Sequence, residues 1–179
     1  MFKVLKKVLK NIIPPYLVGF FRNLFEENLF VYGFDSWGSA LNDSTSYNTE
    51  DVFNKTVESA RKVRDGLAVY ERDSVIFDEI QYDWQFLSCL LLIANISRRL
   101  NVVDFGGALG TSYRQNKFFL EKLDVSLKWT IIEQENFVKM GQQEFTTSDL
   151  KFVYRLKDIE DHDIDVVVLS CSLCYLEKP

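Results

Sequence analysis

The chain has 179 residues, of which 47% are hydrophobic and 15% aromatic, so it holds enough apolar material for one core but not for two large domains. Its formal net charge of −5 argues against a nucleic-acid binder, because neutralising phosphates needs a dense basic face. The three cysteines suit a reducing cytoplasm better than a disulfide framework, and no secretory cleavage pattern is present. We therefore expect a cytoplasmic protein.

The N-terminal segment has a basic helical pattern. Within residues 1–13, apolar side chains share one helical face and lysines populate the other, and Pro14-Pro15 ends the helix. Such a helix can make peripheral contact with an anionic membrane surface. It can equally be an arm packed on the domain or on a partner. Both interpretations stay open.

A helical lead-in is predicted before the first central strand. Residues 31–48 are rich in Gly, Ser, Asn and Asp, which predicts an irregular connector. The spacing of apolar residues over 51–66 predicts a helix, with Gly66 as its C-cap. The apolar run 86–96 is too short to cross a bilayer and predicts a buried helix. We expect residues 1–100 to form a helical extension and lead-in.

From Val102 onward the pattern becomes an alternation of short apolar strands and helices, which is typical of an α/β fold with a parallel sheet. Residues 101–179 are therefore expected to form a Rossmann-like half-domain. The predicted elements are strand 102–105, helix 111–123, strand 128–133, helix 135–145, strand 151–154 and strand 165–170.

A glycine-rich turn follows the first of these strands. Asp104 ends the strand, and Gly106, Gly107 and Gly110 follow it, so that the backbone can turn sharply and approach a ligand closely. Thr111 then begins a helix whose first N–H groups face the same crevice. The turn predicts a site for a nucleotide-type ligand.

Glu133 strengthens this prediction. It ends the second strand, where its carboxylate could accept hydrogen bonds from both hydroxyls of a ribose, and the neighbouring Gln134 could contact an adenine edge. The glycine spacing favours S-adenosylmethionine over a nicotinamide dinucleotide. The dinucleotide pattern G-x-G-x-x-G does not fit, whether its first glycine is placed at Gly106 or at Gly107. In the looser D-x-G-x-G-x-G pattern, Ala108 replaces the middle glycine. The remaining alternative is a tight turn in a domain that binds no ligand.

Candidate catalytic residues are less clearly marked. Glu71 and Asp73 could supply a carboxylate on the substrate side, or could belong to a surface ion-pair cluster. Tyr113 lies in the helix after the glycine turn, where its side chain could reach an acceptor. His162 is the only histidine, and its acidic neighbours favour a solvated turn.

Cys171 and Cys174 form a C-x-x-C after the last predicted strand. The pattern could indicate redox chemistry or half a zinc site, but no second cysteine pair is present, so no metal site is expected. The cysteines can also be small packing residues. Ser170 is a polar candidate for lining the ligand site at this strand end.

Four stretches of the chain resemble, in order, the S-adenosylmethionine-dependent methyltransferases found in bacterial surface-polysaccharide gene clusters. The early Pro14-Pro15 and Ser36-Trp37 pairs resemble the same family, so the resemblance covers nearly the whole chain. The block from Asp104 to Asn116 is the most specific part. The stretches are 70–74, 104–116, 132–134 and 169–176.

The resemblance implies a class I methyltransferase (Rossmann-like) parallel sheet and methyl transfer to a sugar or related cell-envelope precursor. It implies that Gly106, Gly107 and Gly110 flank the methionine portion of the donor. It also implies further strands after Ser170, so we expect the chain to hold the N-terminal half of the sheet. An exposed sheet edge of this kind would be a site for association. The alternative function is a catalytically inactive or partner-dependent donor-binding subunit.

Overall fold

The computed structural model describes residues 32–44, 49–160 and 163–178. The chain divides into two compact units, Met1–Ser44 and Thr45–Pro179, and each is described by itself. The predicted basic helix of residues 1–13 and His162 both lie outside the described residues.

The described part of the first unit contains helix α1, Trp37–Asp43. Ser36 begins it with a capping box, in which its side chain accepts a hydrogen bond from the Ser39 N–H at 3.1 Å. Our prediction of an irregular connector over residues 31–48 was therefore wrong for this stretch. The serines that favoured a loop are here the residues that satisfy the first N–H groups of a helix.

The second unit begins with helix α2, Glu50–Arg64, which confirms the helix predicted over residues 51–66. A hairpin that was not predicted from the sequence follows, with strands β1, Tyr70–Arg72, and β2, Val75–Phe77. Asp73 and Ser74 join them with positive φ values of 51° and 65°, as a two-residue hairpin turn requires. Helix α3, Trp84–Ser97, then covers the predicted apolar helix.

A parallel sheet of four strands forms the centre of the second unit. Its spatial order is β5-β4-β3-β6, so the first strand of the sheet along the chain lies between the second and the fourth. This α/β arrangement is compatible with a Rossmann-like fold. The elements are β3, Arg99–Phe105; α4, Thr111–Leu120; β4, Ser126–Ile132; α5, Glu135–Glu144; β5, Leu150–Val153; and β6, Val166–Val168.

These bounds confirm the predicted alternation and shift its ends. Strand β3 begins at Arg99, before the apolar run, because it pairs with β4 from that residue onward. Strand β6 is three residues long and shorter than the predicted 165–170. The chain leaves it at Leu169 and passes into a short 3₁₀ turn, Leu173–Tyr175.

The main core lies on one face of the sheet. Leu100 and Val102 of β3, Trp129 and Ile131 of β4, and Leu150 of β5 are each at most 2% exposed there. Alternation along the strands sends the intervening side chains to the opposite face. That face carries a smaller cluster, formed by Val103, Ile132 and Ile159. Burial on both faces fixes the register of the central strands.

Candidate functional site

The candidate site lies at the carboxyl ends of β3, β4 and β6. In open parallel sheets, ligands bind outside these strand ends where the strand order reverses, which here is between β3 and β6. The sheet therefore brings together three segments that are distant in sequence. They are the glycine turn after β3, Glu133 after β4 and the segment from Ser170 to Ser172 after β6.

The glycine turn has a defined backbone. The Gly106 N–H donates to the Ile132 carbonyl at 2.9 Å, which extends the pairing with β4 by one bond, and Gly106 then turns at φ 76°. The Gly110 N–H donates to the Gly107 carbonyl at 3.0 Å and closes a turn. Gly110 has φ 95°, a value that favours glycine, and Ala108 has φ 48°. The chain thus enters α4 directly from the turn.

Asp104 supports this turn from below. Its side chain is buried and accepts a hydrogen bond from Trp129 Nε1 at 3.2 Å. A Cβ on Gly107 would lie 2.6 Å from the Asp104 carboxyl carbon, so only glycine fits above it. Burial raises the pKa of Asp104 to about 6, with a further contribution from the nearby Glu133 charge.

Glu133 is tied to both the turn and its own strand end. Its Oε1 accepts from the Ala108 N–H at 3.3 Å, and its Oε2 accepts from the Gln134 N–H at 2.6 Å. The residue is half-buried, and burial raises its pKa although the two N–H groups favour the charged form. Gln134 is exposed beside it and is the N-cap residue of α5.

The segment after β6 contacts the glycine turn through Ser172. A Cβ on Gly106 would lie 2.9 Å from the Ser172 Cβ, so the two backbones pack closely. Ser172 is 8% exposed, whereas the predicted site residue Ser170 is exposed. The predicted residue Ser170 lies at the expected strand end, and it is Ser172, two residues later, that packs against the turn.

The predicted catalytic residues occupy different environments. Glu71 is 2% exposed and accepts hydrogen bonds from the Thr111 hydroxyl and from Arg114 Nη2, the latter at 3.1 Å. Asp73 is exposed in the hairpin turn. The structure therefore brings Glu71, but not Asp73, into hydrogen-bond contact with the helix that follows the glycine turn.

Arg114 completes this cluster. Its Nη1 donates to the Leu109 carbonyl at 2.6 Å, so one guanidinium joins the hairpin, the glycine turn and α4. Burial lowers the pKa of Arg114, and the Glu71 carboxylate opposes that shift. A cavity of about 20 Å³ adjoins the cluster, which is room for one ordered water and not for a nucleoside.

Tyr113 lies inside the core. It is 2% exposed, and its ring packs edge-on against Trp129 with centroids 5.9 Å apart. Among the described residues, no hydrogen-bond partner is present for its hydroxyl. A substrate molecule could reach the Tyr113 hydroxyl only if the core opened.

The described part of the chain contains no cluster of three or more potential metal ligands. Within the same ranges, none of the helices combines the length and apolar character needed to cross a bilayer. Comparisons of the chain with protein-family models, with curated proteins and with solved structures find no match.

Proposed function

We propose that this chain binds S-adenosylmethionine and is a methyltransferase of the class I type, acting on a sugar or cell-envelope polysaccharide precursor. The observation that carries the proposal is the 3.3 Å hydrogen bond from the Ala108 N–H to Glu133 Oε1. It joins the glycine turn after β3 to the acidic residue after β4, at the same edge of the sheet as the reversal of strand order between β3 and β6. The resemblance of residues 104–116 to the polysaccharide-associated methyltransferases supports the choice of reaction.

The hydrogen bonds of Glu133 leave it suited to hold a ribose. Each carboxylate oxygen has two acceptor sites and receives one backbone N–H, so each keeps one site for a hydroxyl. The half-buried position leaves the group accessible while limiting competition from water. Asp104, in contrast, is 1% exposed, which favours a role in supporting the turn over direct contact with the donor.

The donor supplies an electrophilic methyl group, so the chain has mainly to align donor and acceptor. Gly106 is exposed and without a side chain, which supports a role in close backbone approach to the donor. Gln134 follows β4 and Ser170 follows β6, on either side of β3, and both are exposed, so that a ligand at this edge of the sheet can reach them. We propose that the reaction takes place in the cytoplasm, and that residues 1–13 hold the enzyme near the membrane.

A second candidate function is a donor-binding subunit that needs a partner for turnover. Among the described residues, β6 pairs only with β3, and its Val167 is 56% exposed. An apolar strand with one free edge favours association with a further strand. This subunit would bind the donor through the same residues and transfer no methyl group alone.

Titration calorimetry of the chain with S-adenosylmethionine, S-adenosylhomocysteine and NAD tests the proposal. We expect the two sulfur nucleosides to bind and NAD not to. In Glu133→Gln, an amide N–H₂ group replaces one carboxylate oxygen that accepts a hydrogen bond from a backbone N–H. The affinity for S-adenosylmethionine should therefore fall at least about tenfold. Glu135→Gln is the matched control, because Glu135 is exposed on α5 and forms its ion pair with Lys139 of the same helix.

The outcomes separate the candidates. Donor binding with release of S-adenosylhomocysteine on addition of sugar acceptors supports the enzyme. Donor binding without turnover supports the subunit that needs a partner. A folded chain that binds NAD, or neither sulfur nucleoside, contradicts both proposals.

A further inference from the structure

Two of the three cysteines lie together immediately after β6. Cys171 and Cys174 are both exposed, and both are thiols in the structure. Cys89 is the third free cysteine, and it is exposed on α3, separate in sequence from this pair. The pair is therefore accessible to small reagents, and the chain contains its own reference thiol.

The geometry of the turn places the pair within reach of a disulfide. The Cys174 thiol donates a hydrogen bond to the Cys171 carbonyl oxygen, with sulfur and oxygen 3.2 Å apart. That oxygen is two bonds from the Cys171 Cα, so side-chain rotation and a small backbone adjustment bring the sulfurs together. Disulfides need Cα atoms about 4.4–6.8 Å apart, and the sulfur–oxygen contact already holds the Cys174 sulfur against the backbone of Cys171.

The turn that carries the pair also packs against the glycine turn. Cys171 has φ 55°, a conformation that a non-glycine residue adopts only when its surroundings hold it there. The next residue, Ser172, is 8% exposed and packs closely against Gly106. A change in the backbone between Cys171 and Cys174 is therefore transmitted to Gly106.

We propose that Cys171 and Cys174 are a redox-active dithiol that a low-molecular-weight disulfide oxidises, and that oxidation alters the glycine turn through Ser172. One cysteine thiolate attacks the small disulfide, forms a mixed disulfide and releases one small thiol. The second cysteine attacks the protein sulfur of that mixed disulfide and expels the other small thiol. Two protein thiols and one disulfide thus become one protein disulfide and two small thiols.

The chemical step is tested without any donor. The fully reduced chain is equilibrated with mixtures of reduced and oxidised glutathione, and its free thiols are counted by alkylation and mass spectrometry. We expect the count to fall from three to one, with a Cys171–Cys174 crosslink in the peptide map. Cys89→Ser should form the same crosslink. Cys171→Ser and Cys174→Ser should instead carry one glutathione each. Retention of all thiols, or separate glutathione adducts on the native pair, overturns the proposal.

The regulatory step rests on the proposed function and is measured separately. The oxidised and reduced chains are titrated with S-adenosylhomocysteine, and we expect the oxidised form to bind at least about tenfold more weakly. The double variant Cys171→Ser with Cys174→Ser, which can form neither the crosslink nor a glutathione adduct at this turn, should show equal affinity under both conditions. Equal affinity of the oxidised and reduced native chain overturns regulation. If neither form binds, the donor proposal has failed while the thiol count still reports on the dithiol.

Discussion

Arg114 and Glu71 are 43 residues apart in the chain and form a largely buried ion pair, with Nη2 and Oε1 3.1 Å apart. Their side chains are 16% and 3% exposed. Because Arg114 also donates to the Leu109 carbonyl, the pair ties hairpin β1–β2 to the glycine turn. The hairpin is thus part of the scaffold of the candidate site, although it lies outside the parallel sheet.

Removal of one partner of this pair should strongly destabilise the chain. We expect Glu71→Ala to lower the free energy of unfolding by about 3–5 kcal/mol, because the Arg114 charge remains buried without its carboxylate. The double variant Glu71→Ala with Arg114→Met should lose less than the sum of the two single variants. Urea unfolding measures all three. The exposed Lys62–Glu58 pair is the control, and Glu58→Ala should leave the free energy of unfolding nearly unchanged. If Glu71→Ala and Glu58→Ala lowered the free energy of unfolding equally, the Arg114–Glu71 pair would not be buried in solution.

Ala108 predicts a stabilising substitution. It stands where the glycine pattern has its middle glycine, and its φ of 48° is costly for a residue with a Cβ. Glycine removes the cost of this backbone conformation, but it also gives the unfolded chain more entropy. The net effect of Ala108→Gly should be a rise in the free energy of unfolding of about 0.5–1 kcal/mol. Ala94→Gly, in the interior of α3, should lower it by about 1 kcal/mol or more. Thermal or urea unfolding gives both values, and a destabilised Ala108→Gly would contradict the turn conformation.

Asp104 predicts a dependence of stability on pH. Its pKa rises from 3.8 to about 6 on folding, so the folded chain binds more protons than the unfolded chain between these values. The contribution of Asp104 to the free energy of unfolding is fully present below about pH 4 and is lost as the pH rises through about 6. The total loss is about 3 kcal/mol, because a change of one pKa unit corresponds to about 1.4 kcal/mol. Asp104→Asn removes this titration and keeps an acceptor for Trp129, so the fall should be smaller in the variant. Urea unfolding from pH 4 to 7 compares the two chains, and parallel curves would rule out a buried, titrating Asp104.

The sequence predicted those features that depend on neighbouring residues. Alternating apolar runs predicted the α/β order of strands and helices. The glycines that follow the first strand predicted the turn from Gly106 to Gly110, and the end of the second strand predicted the acidic residue beside it, Glu133. The turn at Asp73 and Ser74 was missed because the strands beside it are three residues each, too short to show a period of two. Helix α1 was missed because capping serines and loop serines look alike in composition.

Contacts between distant residues could not be predicted in the same way. Nothing near Glu71 in the sequence indicates that its partner is Arg114, since the pairing depends on where the hairpin packs. The burial of Tyr113 depends likewise on Trp129, which reaches it across the core from β4. The roles assigned to Tyr113, Glu71 and Asp73 in catalysis therefore stay predictions.

Gly141 shows how such a distant contact determines one residue in a helix. It lies in α5, where alanine would favour helix formation by about 1 kcal/mol, yet an added Cβ would meet the Phe152 ring of β5. We expect Gly141→Ala to lower the free energy of unfolding by about 1–3 kcal/mol, because the packed ring has to move. Phe152→Leu makes room, so in that background the alanine should cost much less and could stabilise. Gly38→Ala is the matched control, because among the described residues its Cβ would meet the Ser36 hydroxyl at 3.9 Å and no closer atom, so it should be neutral or stabilising. Urea unfolding of the four chains of the Gly141–Phe152 cycle gives the coupling energy. A value near zero would mean that helix α5 and strand β5 do not pack in this register.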